Sequence, residues 1–354
     1  MEPSKATCIL GLETSCDETS AAVVLDGFRV RSNLISTQIP IHRLYGGVVP
    51  EIASRQHLEA VNEVIDQALE QAGVSLGDLS AIAVTCGPGL VGALLVGVST
   101  AKALAYALKI PLIAVNHMEG HIFANFIEQP NLPLPALCLV VSGGHTDLIR
   151  IGPEHDLTIL GSTRDDAAGE AFDKVARVLG LPYPGGPAVE KLAAEGDAKA
   201  FRMPLASINE NREWSFSGLK TTVINLNHKA AQNGEPLNKA DLAASFQHTV
   251  VQSLLENVRK ELLKGGYASL MLAGGVAANK ALRKAMEEVA KESRVPFSVP
   301  SFELCTDNGA MIAAAGYSHY LRGEFADLSL NAYPDLRLGE AIPGQSKVVR
   351  RFLS

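Results

Sequence analysis

The segment Leu10-Gly-Leu-Glu-Thr-Ser-Cys-Asp-Glu-Thr-Ser20 decides the fold, because it contains the end of one apolar strand, a polar turn and the start of a second strand. Apolar runs at 8–14 and 21–25 flank the turn and predict an antiparallel hairpin. The segment Leu139-Val-Val-Ser-Gly-Gly-His-Thr146 has the same order of strand, polar turn and strand, although its letters differ. The sequence therefore predicts a duplicated α/β fold.

Further elements follow each hairpin in the same order. A third strand comes first, and helices then alternate with buried strands, as the 3–4 spacing of Leu58, Val61, Val64, Ile65 and Leu69 illustrates for one helix. The first half has predicted strands at 30–37, 81–85 and 111–115 and helices at 51–71, 90–108 and from 117 onward. The second half has predicted strands at 137–141, 147–151, 157–160, 269–273 and 296–299, and helices at 167–179, 241–263, 277–291 and 308–322.

This order predicts two lobes around a central cleft, as in actin, Hsp70 and sugar kinases, the actin-like ATPase (ASKHA, RNase H-like) fold. The proline-rich segment Gln129-Pro-Asn-Leu-Pro-Leu-Pro135 separates the halves. We place the N-terminal lobe at 1–132, the C-terminal lobe at 133–325 and a tail at 326–354. Two polar hairpins at one cleft would bind a phosphate through backbone N–H groups and hydroxyls. Two unrelated α/β domains joined by a linker are the alternative.

Composition limits the function classes. The 354 residues carry a formal net charge of -7, which offers no overall basic field, so nucleic-acid binding would need a local patch or a helper subunit. Five cysteines without a Cys-x-x-Cys pair indicate neither a disulfide framework nor a thiolate zinc site. The N-terminus has no leader pattern, and Ser99, Thr100 and Lys102 interrupt the most apolar stretch, 90–108. We expect a cytoplasmic protein that makes no use of a membrane.

The segment His117-Met-Glu-Gly-His121 places two imidazoles on one helix face, directly after a strand. Such a pair can bind one metal ion, although two histidines at this spacing also occur as ordinary surface or core residues. Glu119 is about 200° away from His117 around the helix, which disfavours a metallopeptidase. Asn116 and Glu119 instead predict a capping box. Asp307, before the last helix, would be either an N-cap or a third metal ligand.

Three further segments suggest ligand contacts. The segment Gly87-Pro-Gly-Leu-Val-Gly92 satisfies a dinucleotide fingerprint but lacks the acidic partner, since the next strand ends in Val115-Asn-His. We interpret it as a tight turn for close helix packing, with backbone contact to a ligand as a second use. The segment Ala273-Gly-Gly-Val-Ala-Ala-Asn279 lets a flat base approach the main chain, or forms a plain turn. Asp173 is a candidate for ribose hydroxyls, whereas Asp165 and Asp166 are expected on a solvated helix face.

Several motifs share their order and spacing with one known family. They are Gly11-Leu-Glu-Thr-Ser-Cys-Asp-Glu-Thr, Gly46-Gly-Val-Val-Pro-Glu-Ile-Ala-Ser-Arg-Gln-His, Asn116-His-Met-Glu-Gly-His, Val141-Ser-Gly-Gly-His-Thr, Asp166-Ala-Ala-Gly-Glu-Ala-Phe-Asp-Lys, Tyr183-Pro-Gly-Gly-Pro, Phe216-Ser-Gly-Leu-Lys-Thr and Cys305-Thr-Asp-Asn-Gly. From about residue 8 to 325 the chain resembles the TsaD family of tRNA N6-adenosine threonylcarbamoyltransferases, formerly called glycoproteases. The last 30 or so residues add nothing to the resemblance.

The resemblance implies an actin-like fold, one bound metal ion and transfer of a threonylcarbamoyl group from threonylcarbamoyl-adenylate to the adenosine beside the anticodon of ANN-decoding tRNAs. His117, His121 and Asp307 match the family's metal ligands, and the metal is expected to join the two lobes. Fe²⁺ is favoured by the resemblance, and Zn²⁺ also suits these ligands. The substrate and nucleoside positions of the family fall on Val140, Val141, Ser142, Gly143, Gly144, Asp173, Gly186, Glu190 and Asn279.

Glu13, near the first turn, is the candidate for positioning the reacting groups. The resemblance also implies partners: the tRNA, a small paralogous ASKHA subunit (TsaB) and a P-loop ATPase (TsaE), with an exposed apolar helix of the first lobe as the expected docking surface. An ATP-dependent phosphotransferase of the same fold and a nucleotide-driven binding module are the alternative functions. A kinase would use Mg²⁺ with acidic ligands and would not need two histidines.

Overall fold

The computed structural model describes residues 6–208, 212–234 and 237–347. Part of the predicted tail, 348–354, lies outside this range. The strands are β1 (Cys8–Glu13), β2 (Glu18–Leu25), β3 (Arg29–Thr37), β4 (Ala81–Gly87), β5 (Leu112–Asn116), β6 (Ala136–Val141), β7 (Thr146–Ile151), β8 (Leu157–Ser162), β9 (Ser207–Ile208), β10 (Glu213–Trp214), β11 (Ser269–Ala273), β12 (Phe297–Ser298), β13 (Glu324–Ala326) and β14 (Gln345–Lys347).

The helices alternate with these strands over most of the chain. They are α1 (Ile39–His42), α2 (Pro50–Ala72), α3 (Val91–Leu108), α4 (His117–Glu128), α5 (Ala168–Leu179), α6 (Gly185–Ala193), α7 (Ser217–Asn233), α8 (Lys239–Leu262), α9 (Lys280–Ser293), α10 (Phe302–Cys305) and α11 (Gly309–Arg322). Helix α2 shows why the boundaries fall where they do: Pro50 occupies its first turn, and Gly73 ends it at φ 66°.

The chain divides into two compact units, 1–131 with 306–354, and 132–305. In the first, the sheet order is β14-β13-β5-β4-β1-β2-β3, and in the second it is β12-β11-β6-β7-β8. The five strands β3-β2-β1-β4-β5 correspond in order and direction to β8-β7-β6-β11-β12, with an antiparallel hairpin followed by parallel neighbours in each unit. This correspondence confirms the predicted duplication.

Helix α11 belongs to the first unit, which corrects the predicted lobe boundary at residue 325. The physical reason is a close approach of two backbones. A Cβ on Gly11 would lie 2.2 Å from the carbonyl oxygen of Gly309, and the Gly309 N–H donates to Ser20 Oγ at 2.7 Å. Only glycine at both positions lets this alanine-rich helix pack on β1 and β2.

Helix α3 is the one helix of the described residues that has the length and apolar composition of a membrane span. Core helices of soluble proteins have the same length and composition, so the finding is weak. In this structure α3 packs against β4 and α2, with Leu94 and Val98 buried.

The core of the second unit lies around β6, α5 and α8. Phe172 of α5 and Phe246 of α8 meet edge to face, with their ring centroids 5.2 Å apart. The sequence did not predict α6 and α7, whose residues lack a long apolar period and include Gly-Gly and Ser-Gly pairs at their starts. Helix α6 carries part of the pocket described below.

Candidate functional site

Strand β5 delivers the histidine pair to the carboxyl edge of the first sheet. Asn116 ends this strand and caps α4, because its Oδ1 accepts hydrogen bonds from the N–H groups of Met118 at 2.9 Å and Glu119 at 3.4 Å. The helix therefore begins at His117, and His121 follows one turn later on the same face. The N-cap prediction for Asn116 is confirmed.

The capping-box prediction for Glu119 is wrong. Glu119 Oε2 lies 3.0 Å from Nε2 of His319 in α11, and the side chain is buried. A buried carboxylate gains more from an imidazole N–H than from the N–H of its own helix, because a charged partner compensates the loss of water more fully.

The two imidazoles and Asp307 form a compact group of metal-ligand atoms. Nε2 of His117 lies 3.5 Å from Oδ1 of Asp307, and Nε2 of His121 lies 3.2 Å from the same oxygen. One ligand atom from each of the three residues lies within 4.8 Å of the others. Two nitrogens and one carboxylate oxygen at this separation can bind one divalent ion and leave coordination positions open.

His121 has the clearest sign of a missing partner. Its side chain is 1% exposed, neither ring nitrogen makes a hydrogen bond, and the nearest charged group is the Asp307 carboxylate, 3.2 Å from Nε2. A buried polar atom without a partner costs about 1 to 3 kcal/mol. A metal ion at Nε2 would remove part of that cost, so the residues present fit a metal ion.

Glu13 holds the other histidine in place. Its Oε2 lies 3.0 Å from Nδ1 of His117 and accepts a hydrogen bond from Thr85 Oγ1 at 2.6 Å, while its Oε1 accepts one from the N–H of Ser15 at 2.5 Å. This arrangement keeps a proton on Nδ1 and turns Nε2 toward Asp307. The predicted role of Glu13 changes accordingly: the carboxylate is fully buried and acts on His117.

The carboxylates and imidazoles of this group stabilise each other's charged forms without a metal. Burial alone would lower the pKa of His117, but Glu13 and Asp307 raise it to about 9. Burial alone would raise the pKa of Asp307, but His117 and His121 lower it to about 2. The His117 ring is therefore positively charged at neutral pH, and a metal ion would replace that positive charge.

All three candidate ligands lie in the first unit, because Asp307 is only two residues before α11. The expectation that a metal joins the two lobes is therefore wrong. The sequence also left open whether Asp307 caps the last helix. Asn308 is the cap instead, with its Oδ1 accepting from the N–H of Met311 at 3.0 Å, which leaves the Asp307 carboxylate to face the histidines.

The second unit contains a pocket of about 170 Å³ between the β6–β7 turn, α5, α6 and the start of α9. It is lined by Gly143, Gly169, Phe172, Asp173, Gly186, Pro187, Glu190, Gly275, Val276, Ala278 and Asn279. A Cβ on Gly143, Gly186 or Gly275 would meet no atom within 4 Å, so these glycines leave open space over the pocket. A flat aromatic ring fits such a surface.

Five of the nine predicted substrate and nucleoside positions line this pocket: Gly143, Asp173, Gly186, Glu190 and Asn279. The other four do not. Val140 and Val141 are fully buried in β6, whereas Ser142 and Gly144 belong to the turn that follows. The Ser142 N–H donates to the carbonyl of His145 at 2.8 Å, which closes the turn and leaves Gly143 and Gly144 exposed.

The polar side chains of the pocket also bind the chain itself. Asp173 Oδ1 accepts from the Gly185 N–H and Glu190 Oε1 from the Lys280 N–H, both at 2.7 Å. Asn279 caps α9 through its Oδ1 and donates from Nδ2 to Gln247 at 2.8 Å. The pocket walls are therefore tied together by the residues that would contact a ligand.

The segment 87–92 uses its glycines for packing, as predicted. A Cβ on Gly87 would lie 2.0 Å from the Tyr333 carbonyl oxygen, and one on Gly92 would lie 2.3 Å from Ser54 Oγ. Both spaces are filled by the chain, which excludes a dinucleotide pyrophosphate at these two glycines.

Sequence reasoning missed several contacts. Thr85 is a fully buried hydroxyl in an otherwise apolar strand, a signal that could have identified it as a partner of a buried charge. Asp165 and Asp166 are not simply solvated: Asp165 accepts hydrogen bonds from the N–H groups of Phe216 and Ser217, and Asp166 Oδ1 lies 2.7 Å from Lys174 Nζ.

Comparisons with known proteins agree with this description. Residues 29–314 match the family model described as TsaD: tRNA N6-adenosine threonylcarbamoyltransferase. The chain is 56% identical over 338 residues to the tRNA N6-adenosine threonylcarbamoyltransferase of Moorella thermoacetica, which covers 95% of this chain and 99% of that protein. It is 53% identical to the enzyme of the same name from Clostridium novyi, over 95% of this chain and 99% of that protein.

Solved structures show the fold at lower identity. HypF of T. kodakarensis is similar with a TM-score of 0.63 at 16% identity, over 90% of this chain and 48% of that one. Component A of the (R)-2-hydroxyglutaryl-CoA dehydratase of Acidaminococcus fermentans has a TM-score of 0.52 at 14% identity, over 89% of this chain and 99% of that one. The fold is that of the actin-like ATPases and sugar kinases, as the sequence predicted.

Proposed function

The chain belongs to the TsaD family of tRNA N6-adenosine threonylcarbamoyltransferases, and from this premise we propose how its residues carry out the transfer. The enzyme transfers the threonylcarbamoyl group of threonylcarbamoyl-adenylate to N6 of the adenosine next to the anticodon of ANN-decoding tRNAs and releases AMP. Because the chain belongs to this family, we no longer consider a phosphotransferase or a nucleotide-driven binding module as its function.

We assign the metal centre to His117, His121 and Asp307. The observation that carries the assignment is the buried imidazole of His121, whose nitrogens make no hydrogen bond, beside the two other ligands. Fe²⁺ is our first choice because of the family, and Zn²⁺ suits the same ligands, since imidazole and carboxylate accept both ions. Such an ion supplies Lewis-acid chemistry that polarises a carbonyl group.

The chain's own residues prepare that centre. Glu13 orients His117 by accepting a hydrogen bond from its Nδ1–H group. The Thr85 hydroxyl and the Ser15 N–H in turn donate to Glu13 and fix its position. Because Glu13 holds the proton on Nδ1, Nε2 of His117 would be the nitrogen that binds a metal ion. Glu13 is therefore a positioning residue in our proposal.

The pocket of the second unit is our proposed site for the adenylate portion of the donor. The open glycines 143, 186 and 275 would contact the adenine ring, and the carboxylates of Asp173 and Glu190 would accept hydrogen bonds from ribose hydroxyls. The N–H groups of the exposed turn at Gly143 and Gly144 are suited to a phosphate. The reaction then needs orientation and charge stabilisation rather than a covalent nucleophile.

We also propose the partners and the compartment. tRNA is the substrate, and the net charge of -7 gives a reason for partner subunits that contribute basic groups. A small paralogous subunit (TsaB) and a P-loop ATPase (TsaE) are the expected partners, and the cytoplasm is the expected compartment. Leu58 of α2 and Val91, Leu95 and Tyr106 of α3 are exposed on adjacent helices and form an apolar surface for the paralogous subunit.

The test is direct. The full-length chain is incubated with threonylcarbamoyl-adenylate, the two partner proteins and an ANN-decoding tRNA, and the nucleosides are analysed by mass spectrometry. We expect threonylcarbamoyl-adenosine, and none from a matched tRNA with guanosine in place of the target adenosine. Product formation at an unchanged rate by a chelator-treated, metal-free enzyme would refute the metal centre.

A further inference from the structure

Three consecutive residues of α4 contact α11, or the segment just before it, at three separate points. His121 Nε2 lies 3.2 Å from Asp307, two residues before α11. At Gly120 the two helices approach closely, since a Cβ there would lie 2.6 Å from Cδ1 of Ile312. Glu119 Oε2 lies 3.0 Å from Nε2 of His319, near the end of α11. Because residues two apart differ by about 200° around a helix, Glu119 and His121 leave α4 in nearly opposite directions.

His319 is itself held in one orientation. Its Nδ1 lies 2.8 Å from Oε2 of Glu324, and Arg322 Nε donates to that oxygen at 2.9 Å. The imidazole thus bridges two carboxylates, and it is buried. Burial alone would lower the pKa of His319, but Glu119 and Glu324 raise it to about 9, so both ring nitrogens carry a proton at neutral pH.

The rotation of α4 matters for the metal ligands. A side-chain atom about 6 Å from a helix axis moves about 1 Å when the helix turns by about 10°. Metal–ligand distances tolerate changes of only about 0.2 Å. A contact that fixes the rotation of α4 from the side opposite His121 therefore sets where the two imidazoles meet Asp307.

We propose that Glu119 and His319 are positioning residues that fix the rotation of α4 against α11 and thereby hold His117, His121 and Asp307 at metal-binding separation. This inference rests on the metal centre proposed above. Neither residue is expected to touch the substrate, because each is enclosed between the two helices and their neighbours.

The test is a titration of the chelator-stripped full-length chain with Co²⁺ alone, followed by visible absorption, for the wild type and for Glu119→Gln, His319→Gln and the double variant. The double variant leaves no unpaired buried charge, so it keeps the test informative where a single variant fails to fold. Glu261→Gln is the matched control, since Glu261 is a similarly buried carboxylate of the second unit, 2.8 Å from Arg212.

We expect the Co²⁺ affinity of the Glu119 and His319 variants to fall about 10-fold or more, with a changed absorption spectrum, and that of Glu261→Gln to stay within 2-fold of the wild type. Wild-type affinity and spectrum in the folded double variant would overturn the inference while leaving the metal centre intact. Equal Co²⁺ binding by the wild type and by His121→Leu would instead overturn the metal centre itself.

Discussion

Oε2 of Glu13 lies 3.0 Å from Nδ1 of His117, so that the last residue of β1 sets the orientation of the first residue of α4. The contact joins two segments 104 positions apart in the sequence. It explains why a carboxylate is fully buried at this strand end, since its charge is compensated by an imidazole and two further donors.

Replacing Glu13 by Gln should weaken metal binding, because an amide oxygen accepts a weaker hydrogen bond from the His117 Nδ1–H group than a carboxylate does. We expect a 10- to 100-fold loss of metal affinity, the usual range for partners of metal-ligating histidines. The measurement is metal titration of the stripped protein. Thr85→Val removes only one of the hydrogen bonds to Glu13, so it should lower the metal affinity less than Glu13→Gln does. A larger loss of affinity in Thr85→Val would contradict this arrangement of hydrogen bonds.

Replacing Gly186 by Leu should block the pocket without destabilising the protein. Gly186 lies in the first turn of α6, where a Cβ would meet no atom within 4 Å, and leucine favours a helix over glycine by up to about 1 kcal/mol. We expect the KM for threonylcarbamoyl-adenylate to rise at least about 10-fold at unchanged stability. An unchanged KM would show that this pocket does not bind threonylcarbamoyl-adenylate.

The neighbouring Gly185 is the contrasting position. A Cβ there would lie 2.6 Å from Cα of Asp173 and 2.7 Å from Cβ of Ala176. Gly185→Ala should therefore lower the free energy of unfolding by about 1 to 3 kcal/mol. Urea titrations of both variants measure the free energy of unfolding, which should fall in Gly185→Ala and stay unchanged in Gly186→Leu.

Replacing Gly11 by Ala should separate α11 from β1. The new Cβ would lie 2.2 Å from the Gly309 carbonyl oxygen, a backbone atom that cannot turn aside, so a loss of about 3 kcal/mol or more is expected. Gly218→Ala, with no atom within 4 Å of the new Cβ, is the matched control and should not lower the unfolding midpoint, since alanine also favours a helix over glycine. Equal midpoints for the two variants would contradict the close approach.

The stability contributed by His319 should depend on pH. Its pKa is about 9 in the folded chain and about 6.5 when unfolded, so the contribution is complete below about pH 6.5 and disappears as the pH rises through about 9. The difference in unfolding free energy between wild type and His319→Gln should fall by about 1 to 3 kcal/mol between pH 6 and pH 10. Urea titrations in chelator measure it, and a difference that is constant over this range would show that folding does not raise the pKa of His319.

The sequence predicted the local structure better than the long-range contacts. Alternating apolar runs and polar turns identified both hairpins, and the spacing of His117 and His121 identified one helix face, because these patterns lie within about ten residues. The assignment of α11 to the first unit depends on Gly11 and Gly309, which are almost 300 positions apart. Nothing local to Asp307 indicates which unit it joins.

The partners of the buried charges were equally hidden. Glu119 satisfies a capping-box pattern with Asn116, yet it pairs with His319, 200 positions later. The pocket is lined by Phe172, by the unpredicted α6 and by glycines that come from four separate segments. Such contacts follow from how the helices pack, and short-range periodicity carries no information about that packing.

The measurement that tests the central claim most directly is the metal content and transfer rate of His121→Leu. Leucine fills the buried space of the imidazole and removes its 3.2 Å contact with Asp307, which keeps His117 as a second partner, so the fold should survive. His228→Ala, which removes an exposed imidazole from α7, is the control. We predict that the wild type and His228→Ala bind one divalent ion per chain and that His121→Leu binds none and transfers at least about 100-fold more slowly. A folded, metal-free His121→Leu protein that modifies tRNA at the wild-type rate would contradict the account.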